Sequence, residues 1–379
     1  TRSVFVSWHG GVLRAASTIA AVLAEGAVPR TIDLGTVASV AGGLWSHSRA
    51  TAYTHVSELR AGEQLSWRPG AEPLLREWWQ APMEMATRRA PLDPAADELR
   101  ALLEAAVRER LAPSGVTAVS LSGGWDSTAV YATGNVVSDR MHGVSISYPP
   151  GDPGREDETI ALVTARWGAT PDFIESASIP LFVETEAAAA TREHPFAHVY
   201  EHWNRALSRR ARAAGARVIL DGVGGDNLFQ ASSVYLAELF RTLQWGELAA
   251  QWRVWHGNLR DWRGLYRTAV LPGLPRWAQD LIARRRGGRV QTYLERHPPI
   301  WFKQEFLREH RVRERDREAQ PALPEGNLLR RETHVFLRFP FFQRIYAHLH
   351  AFGLEEGIEL RSPLIDQRIV RFAAARPWS

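Results

Sequence analysis

The chain has 379 residues, which is long for one domain and suits two, with enough apolar material for a core that needs no covalent staples. It contains no cysteine, which excludes disulfides, thiolate metal sites and a cysteine nucleophile. The 46 basic residues exceed the 42 acidic ones by only +4, and no apolar run reaches the roughly 18 residues of a membrane span, so we expect neither a nucleic-acid partner nor a membrane.

Residues 1–90 are predicted to form a small β-rich domain. Its strands are expected in the runs VFVSW, TIDLG and QLSWRPG, and Gly-Gly pairs at 10–11 and 42–43 mark turns. The sequence begins with Thr1 rather than Met, so we expect further residues before it. It has no basic region followed by an apolar stretch, as a secretory signal would, and a cytoplasmic protein is expected.

Residues 91–379 are predicted to form a second domain, of the α/β class. Pro91 marks the boundary, because leucines at helical spacing begin shortly after it. Short apolar strands then alternate with helices, and they are expected at 116–121, 141–148, 172–175 and 217–221. Parallel strands joined by helices predict a doubly wound sheet whose ligand site lies at the carboxyl ends of the strands. From about residue 232 to the end, only helices are predicted.

The first strand of this sheet leads into the sequence SGGWDS (122–127), which a helix follows at once. Glycines let backbone N–H groups approach phosphate oxygens, the helix N-terminus favours anions, and serine hydroxyls add donors. Asp126 would repel a polyphosphate unless a cation lay between them, so Mg²⁺ is expected. The predicted cofactor-binding residues of this region are Ser120, Ser122, Gly123, Gly124, Asp126, Ser127 and Ser145.

The fourth strand ends in a matching loop, DGVGGD (221–226). In a doubly wound sheet this loop would open on the same edge as the first one. Gly222, Gly224 and Gly225 are therefore predicted to contact the nucleotide, and Asp126 and Asp226 to bracket its phosphates through shared Mg²⁺. Taken alone, a glycine-rich strand exit is as often a simple turn.

These segments resemble the asparagine synthetase group of ATP pyrophosphatases. SGGWDS is similar to the pyrophosphate loop of that family, LDGVGGDNLF to its second conserved loop, and GIELRSPLIDQRIVRFA (357–373) to its Glu-x-Arg-x-Pro-x-x-Asp segment. The resemblance implies the adenine-nucleotide α-hydrolase fold, ATP and Mg²⁺ as cofactors, and catalytic roles for Asp126, Asp226, Glu359 and Arg361. For Glu359 and Arg361 a second interpretation stays open, a structural ion pair that holds the last helix against the sheet.

The resemblance extends to two further segments. An acidic pair, Asp157 and Glu158, matches the start of the helix after the family's second strand. Residues 51–70 resemble the end of its N-terminal glutaminase-like (Ntn) domain, although no cysteine is present to release ammonia from glutamine. The resemblance therefore implies that the acceptor amine arrives on a substrate, as in β-lactam synthetases and in the macrolactam synthetases (cyclases) of lasso peptides. The β-lactam enzymes carry a tyrosine at the position of Val223, which favours the cyclases.

A lasso peptide cyclase is expected to adenylate an Asp or Glu side chain of a peptide and to close an isopeptide-linked ring with the N-terminal amine. The implied partners are a ribosomal precursor (core) peptide, a leader peptidase and a leader-recognition protein. Two alternatives stay open: an asparagine synthetase or β-lactam synthetase-like ligase that acts on a small molecule, and a non-catalytic nucleotide-binding scaffold that docks peptides. The family's catalytic lysine follows the Glu-x-Arg-x-Pro segment, whereas Lys303 precedes it, so that lysine is expected beyond Ser379.

The helical part is rich in tryptophan. Trp245, Trp252, Trp255 and Trp262 recur at nearly helical spacing. Core packing is the expected use of these side chains, and a peptide-binding groove is the alternative.

Overall fold

The computed structural model describes residues 3–42, 49–80, 92–192, 200–229, 232–256, 261–285, 300–318, 326–338 and 340–375. None of the helices in these ranges is long and apolar enough to cross a membrane.

The N-terminal part contains a three-stranded antiparallel sheet, a separate hairpin and two short helices. In chain order its elements are β1 (Phe5–His9), β2 (Val12–Ala16), α1 (Ile19–Leu23), α2 (Leu34–Ala41), β3 (Ser57–Glu58), β4 (Glu63–Ser66) and β5 (Leu74–Glu77). Strand β1 lies between β2 and β3, and β4 pairs with β5. Its small core is formed by α1 and the chain around it, with Ile19, Val22, Leu23, Val28 and Val56 buried.

The strand predicted at TIDLG is wrong. Asp33 instead caps helix α2, because its Oδ1 accepts hydrogen bonds from the N–H groups of Gly35 (3.0 Å) and Thr36 (3.2 Å). Ile32 forms only an isolated bridge with Tyr53. An aspartate followed by apolar residues fits both a strand exit and a helix start, and here the cap decides.

The second part is the predicted α/β unit. Its elements are α3 (Leu92–Arg108), β6 (Val116–Ser120), α4 (Trp125–Val137), β7 (Met141–Ser147), α5 (Asp157–Ala165), β8 (Asp172–Glu175), α6 (Thr185–Thr191), α7 (Glu201–Ala213), β9 (Ala216–Leu220) and α8 (Gly225–Phe229). The four strands match the predicted positions to within a residue at each end. Gly168 and Gly215 follow α5 and α7 with φ of 66° and 85°, the left-handed conformation that ends helices.

The sheet has five parallel strands in the order β10-β9-β6-β7-β8. Strand β10 (Glu359–Arg361) was not predicted, since only helices were expected after residue 232. Its three residues, ELR, are too few to identify a strand from sequence, and they form one because they pair with β9 at the sheet edge. The strand order reverses between β6 and β9, and the ligand site of such sheets lies outside the strands at that point. The loops after β6 and β9 both start there.

The remaining helices pack in part on the sheet unit, in part on one another and in part on α2. They are α9 (Val234–Arg241), α10 (Trp245–His256), α11 (Trp262–Leu265), α12 (Leu271–Gly273), α13 (Arg276–Arg285), α14 (Gln304–Glu309), α15 (Val312–Glu318), α16 (Leu328–Arg338), α17 (Pro340–Glu355) and α18 (Gln367–Ala375), with a π-helical stretch at Tyr266–Val270. Trp252 is 1% exposed and packs in the core of this region, as predicted. Trp245, Trp255 and Trp262 are at least 38% exposed, so core packing is wrong for them.

The N-terminal part is joined to helix α17 by a buried polar contact. The Arg344 side chain is 4% exposed, donates to the Ala50 carbonyl at 3.1 Å and lies 3.6 Å from Glu58. Gln343 donates to the Leu59 carbonyl at 2.8 Å and accepts from the Ala61 N–H at 3.1 Å. Truncating Arg344 would leave Glu58 buried without its cation, which is a costly arrangement.

Candidate active site

The SGGWDS loop is held in shape by its own serines. The Ser122 N–H donates to Ser127 Oγ at 3.0 Å, and Ser127 Oγ in turn donates to the Ser122 carbonyl at 2.9 Å. The two hydroxyl oxygens lie 3.0 Å apart. Ser127 is 5% exposed, so its first task is to fold the loop, while Ser122 lies nearer the surface.

The two predicted metal-binding aspartates are brought together. Burial and the nearby Asp226 carboxylate raise the pKa of Asp126, whereas the Asp226 backbone N–H lowers it by donating to the Asp126 carboxylate. Asp226 lies in the first turn of α8 and Asp126 in the first turn of α4. Two carboxylates and two helix N-termini therefore meet where the strand order reverses.

Two glycines of the second loop make this approach possible. A Cβ on Gly225 would lie 2.0 Å from Asp126 Cγ, and a Cβ on Gly222 would lie 2.5 Å from the Ser127 nitrogen. Gly224 has φ of 98°, which favours glycine, and a Cβ there would lie 2.4 Å from Ile365 Cγ2. Gly222 and Gly225 thus first allow the second loop to pack on the first, and Gly224 allows the second loop to pack on Ile365.

Glu156 is a site residue that the sequence did not single out. Its Oε2 accepts a hydrogen bond of 2.8 Å from the Gly123 N–H, at the place where the motif predicts a phosphate oxygen. Its Cβ would be 2.8 Å from a Cβ built on Gly123. An anion therefore already occupies part of the predicted phosphate cradle. The signal was present, because Glu156 directly precedes the acidic pair at 157–158.

The donor set fits Mg²⁺. Asp126 has its pKa raised by burial and by a second carboxylate, and a divalent cation between the two groups would relieve that repulsion. Mg²⁺ is usually held by one or two carboxylates together with substrate phosphates, which is what these loops offer. Among the described residues, no cluster of three or more metal-ligating side chains occurs.

The other predicted cofactor-binding residues lie in strands β6 and β7 and within the phosphate loop itself. Ser145 in β7 is 2% exposed and donates to the Leu121 carbonyl at 2.7 Å, so its hydroxyl ties two strands together. Ser120 is the last residue of β6. Gly124 is the N-cap of α4, and its N–H lies 3.4 Å from Ser122 Oγ.

The acidic pair at the start of α5 is divided between two environments. Asp157 accepts from Ser147 Oγ at 2.7 Å and from Arg155 Nε at 2.9 Å. Glu158 is exposed. Asp157 thus links the end of β7 to the loop that carries Glu156.

Glu359 and Arg361 pair with each other. Arg361 Nη2 donates to Glu359 Oε2 at 2.8 Å, while its Nη1 donates to the carbonyls of Arg110 (3.0 Å) and Leu111 (3.1 Å). Arg361 therefore ties β10 to the chain after α3, and Glu359 lines a cavity beside the second loop.

Asp366, rather than that pair, anchors the last helix. It accepts from Arg368 Nε at 2.9 Å and pairs with Arg110 at 2.9 Å. Burial alone would raise the pKa of Asp366, but hydrogen bonds from Arg368 and the charges of both arginines lower it to about 2.

No curated protein sequence matches the chain. The chain is similar in structure to an NH3-dependent NAD synthetase from Campylobacter jejuni, with 11% identity and a TM-score of 0.26 over 62% of this chain and 100% of the other. It is also similar to a U34-tRNA thiolase from Methanococcus maripaludis, with 12% identity and a TM-score of 0.27 over 71% and 89%.

The family comparison covers most of the chain. The family model described as asparagine synthase matches residues 98–379, which include both aspartate loops and strand β10. The chain belongs to the asparagine synthase family.

Proposed function

We propose that the protein is an AMP-forming amide ligase that closes a macrolactam in a peptide, as lasso peptide cyclases do. Membership of the asparagine synthase family supports an ATP-dependent ligase. The observation that carries the proposal is the meeting of Asp126 and Asp226 at the helix N-termini of the two loops.

In the proposed first step, a side-chain carboxylate of the peptide attacks the α-phosphorus of ATP, and the bond to pyrophosphate breaks. The Gly123 N–H, released from Glu156, and the Ser122 hydroxyl would hold phosphate oxygens. Asp126 and Asp226 would hold Mg²⁺, which neutralises phosphate charge and stabilises the leaving pyrophosphate.

In the proposed second step, the N-terminal amine of the same peptide attacks the acyl carbon and AMP leaves. No covalent bond to the enzyme is needed, so its contribution is to position the reacting groups and to stabilise charge. The resemblance to cyclases implies that a leader peptidase and a leader-recognition protein deliver the peptide.

A large cavity favours a peptide over a small molecule. It measures about 780 Å³ and lies between the N-terminal part and helices α6, α7 and α17. A smaller cavity of about 390 Å³ lies beside the second loop, and His350 lines both. A free amino acid would need only the smaller one, since pockets of several hundred Å³ already enclose drug-sized ligands.

Pyrophosphate release tests the proposal. A cyclase releases pyrophosphate only with both ATP and a linear peptide that carries an internal carboxylate, and the peptide loses water, as mass spectrometry would show. Release driven by free aspartate would identify a small-molecule ligase instead. Absence of release from a chain that includes the family's lysine segment would favour the non-catalytic scaffold.

A further inference from the structure

The smaller cavity is bounded by the carboxyl ends of β9 and β10 and by helix α17. Its volume of about 390 Å³ is ample for the end of a peptide chain. The titratable and charged side chains that line it are Asp221, Tyr346, His350, Glu359, Arg361, Glu109 and Arg110.

The arginines of this lining already have acidic partners. Arg361 pairs with Glu359 at 2.8 Å, and Arg110 pairs with Asp366 at 2.9 Å. Glu109, an acidic residue of the lining that follows α3, pairs with Arg368 at 2.6 Å. These contacts leave the arginines compensated before any ligand arrives.

Asp221 differs from these acids. Its Oδ1 accepts from the Val223 N–H at 3.1 Å, and the carboxylate also accepts from the Ser362 hydroxyl. Within the described ranges, no cationic side chain forms an ion pair with it. A half-buried carboxylate that lines a cavity and has no cationic partner is suited to attract an ammonium group.

Asp221 also lies next to the nucleotide loops. Asp221 directly precedes Gly222, where a Cβ would lie only 2.5 Å from the Ser127 nitrogen. Ile365, which lines the cavity, packs on Gly224. An amine beside Asp221 would therefore be close to an acyl group formed at the phosphate loop.

We propose that this cavity is the subsite of the acceptor amine and that Asp221 takes the proton of that amine during ring closure. The inference rests on the proposed function. The ammonium group first loses one proton to solvent. The amine nitrogen then forms the bond to the acyl carbon, the bond from that carbon to the AMP oxygen breaks with its electron pair leaving on AMP, and the second proton that the nitrogen must lose moves to the Asp221 carboxylate.

The protonation states agree with these roles. Burial raises the pKa of Asp221 to about 6, against the lowering effect of the hydrogen bonds from Ser362 and Val223. A general base works best when its pKa is near the working pH. Burial, and then the charge of Asp221, raise the pKa of Tyr346, so its phenol stays protonated and serves as a donor rather than as the base.

Asp221→Asn tests the inference when ring closure and adenylation are measured separately. Adenylation is followed as peptide-dependent ATP–pyrophosphate exchange, and ring closure as loss of water from the peptide. We expect exchange to stay within about threefold of wild type and closure to fall by about 100-fold, the lower range for losing a general base. Hydroxylamine, a nucleophile that is largely uncharged at neutral pH, should still trap the acyl group at the wild-type rate.

A structural role for Asp221 makes a different prediction. Exchange, trapping and closure would then fall together, and this result would overturn the inference, as would closure at the wild-type rate. If Asp221→Asn does not fold, closure by Asp221→Ala should be restored by added formate, which fits the cavity. Wild-type protein that shows no exchange with any peptide would instead contradict the proposed function.

Discussion

Gly225→Ala tests the geometry of the aspartate pair with the smallest change of side chain. Gly225 is the first residue of α8 and is not among the glycines with positive φ, so alanine adds no left-handed backbone strain there and acts through its Cβ. That Cβ would lie 2.0, 2.2 and 2.3 Å from Asp126 Cγ, Oδ2 and Oδ1, where ordinary contacts start at 3.4 Å. The Asp126 carboxyl or the α8 backbone must therefore move by about 1.4 Å.

A shift of about 1 Å in a positioned group costs on the order of 100-fold in rate, or about 2.7 kcal/mol of transition-state stabilisation. We expect the kcat/KM of ATP–pyrophosphate exchange to fall by that factor in Gly225→Ala, with the loss reduced only slightly by excess Mg²⁺. The matched control is Gly246→Ala in α10, where a Cβ meets nothing within 4 Å. Wild-type exchange in Gly225→Ala, or an equal loss in Gly246→Ala, would show that the approach of Gly225 to Asp126 does not position the carboxylate for catalysis.

Three further predictions concern charge. Asp126→Asn or Asp226→Asn should lower adenylation at least 1,000-fold while the thermal midpoint stays the same or rises, because the neutral amide removes the repulsion between the two carboxylates. Glu156→Gln should lower the KM for ATP severalfold in steady-state kinetics, because a negative charge leaves the phosphate cradle. Asp366→Asn should be less stable than wild type at neutral pH in urea unfolding, and the difference should vanish between pH 3.8 and about 2. The reason is that the pKa of Asp366 is lower in the folded state than in the unfolded state. Its ionised carboxylate therefore stabilises the fold above pH 3.8, and this contribution is lost as the pH falls to about 2.

Each of these predictions has a result that contradicts it. Full turnover by Asp126→Asn or Asp226→Asn would contradict the proposal that the two carboxylates hold Mg²⁺ between them. Asp139→Asn, at an exposed position, serves as the control. An unchanged or higher KM for ATP in Glu156→Gln would mean that Glu156 does not compete with phosphate. If the stability difference between wild type and Asp366→Asn is the same at pH 3 and pH 7, the effect does not depend on ionisation of Asp366.

The parallel strands and both loops could be predicted because their signals are local. A short apolar run followed by a glycine-rich exit identifies a buried parallel strand, and β6 and β9 carry this pattern. Strands β7 and β8 follow from the alternation of short apolar runs with helices. Strand β10 shows neither pattern, because its three residues become a strand only through pairing with β9. The Ntn likeness of residues 1–90 and the domain boundary at 91 stay predictions.

The sequence predicted the candidate site residues of the two loops, but it did not predict those that distant elements bring to the site. Asp126 and Asp226 follow from the rule that strands next to a reversal of order share a site. Tyr346 comes from α17, which has no motif, and its approach to Asp221 follows from packing across the sheet edge. Glu156 was missed because its contact with Gly123 joins two loops 33 residues apart.

Attack of a peptide carboxylate on the α-phosphate at the Asp126–Asp226 site can be followed by oxygen transfer. The peptide is labelled with ¹⁸O in its internal Asp or Glu carboxylate and incubated with ATP, Mg²⁺ and enzyme, and the products are analysed by mass spectrometry. An acyl-adenylate route leaves one ¹⁸O on AMP for each ring closed. Label in inorganic phosphate with formation of ADP, or ring closure with unlabelled AMP, would contradict the account.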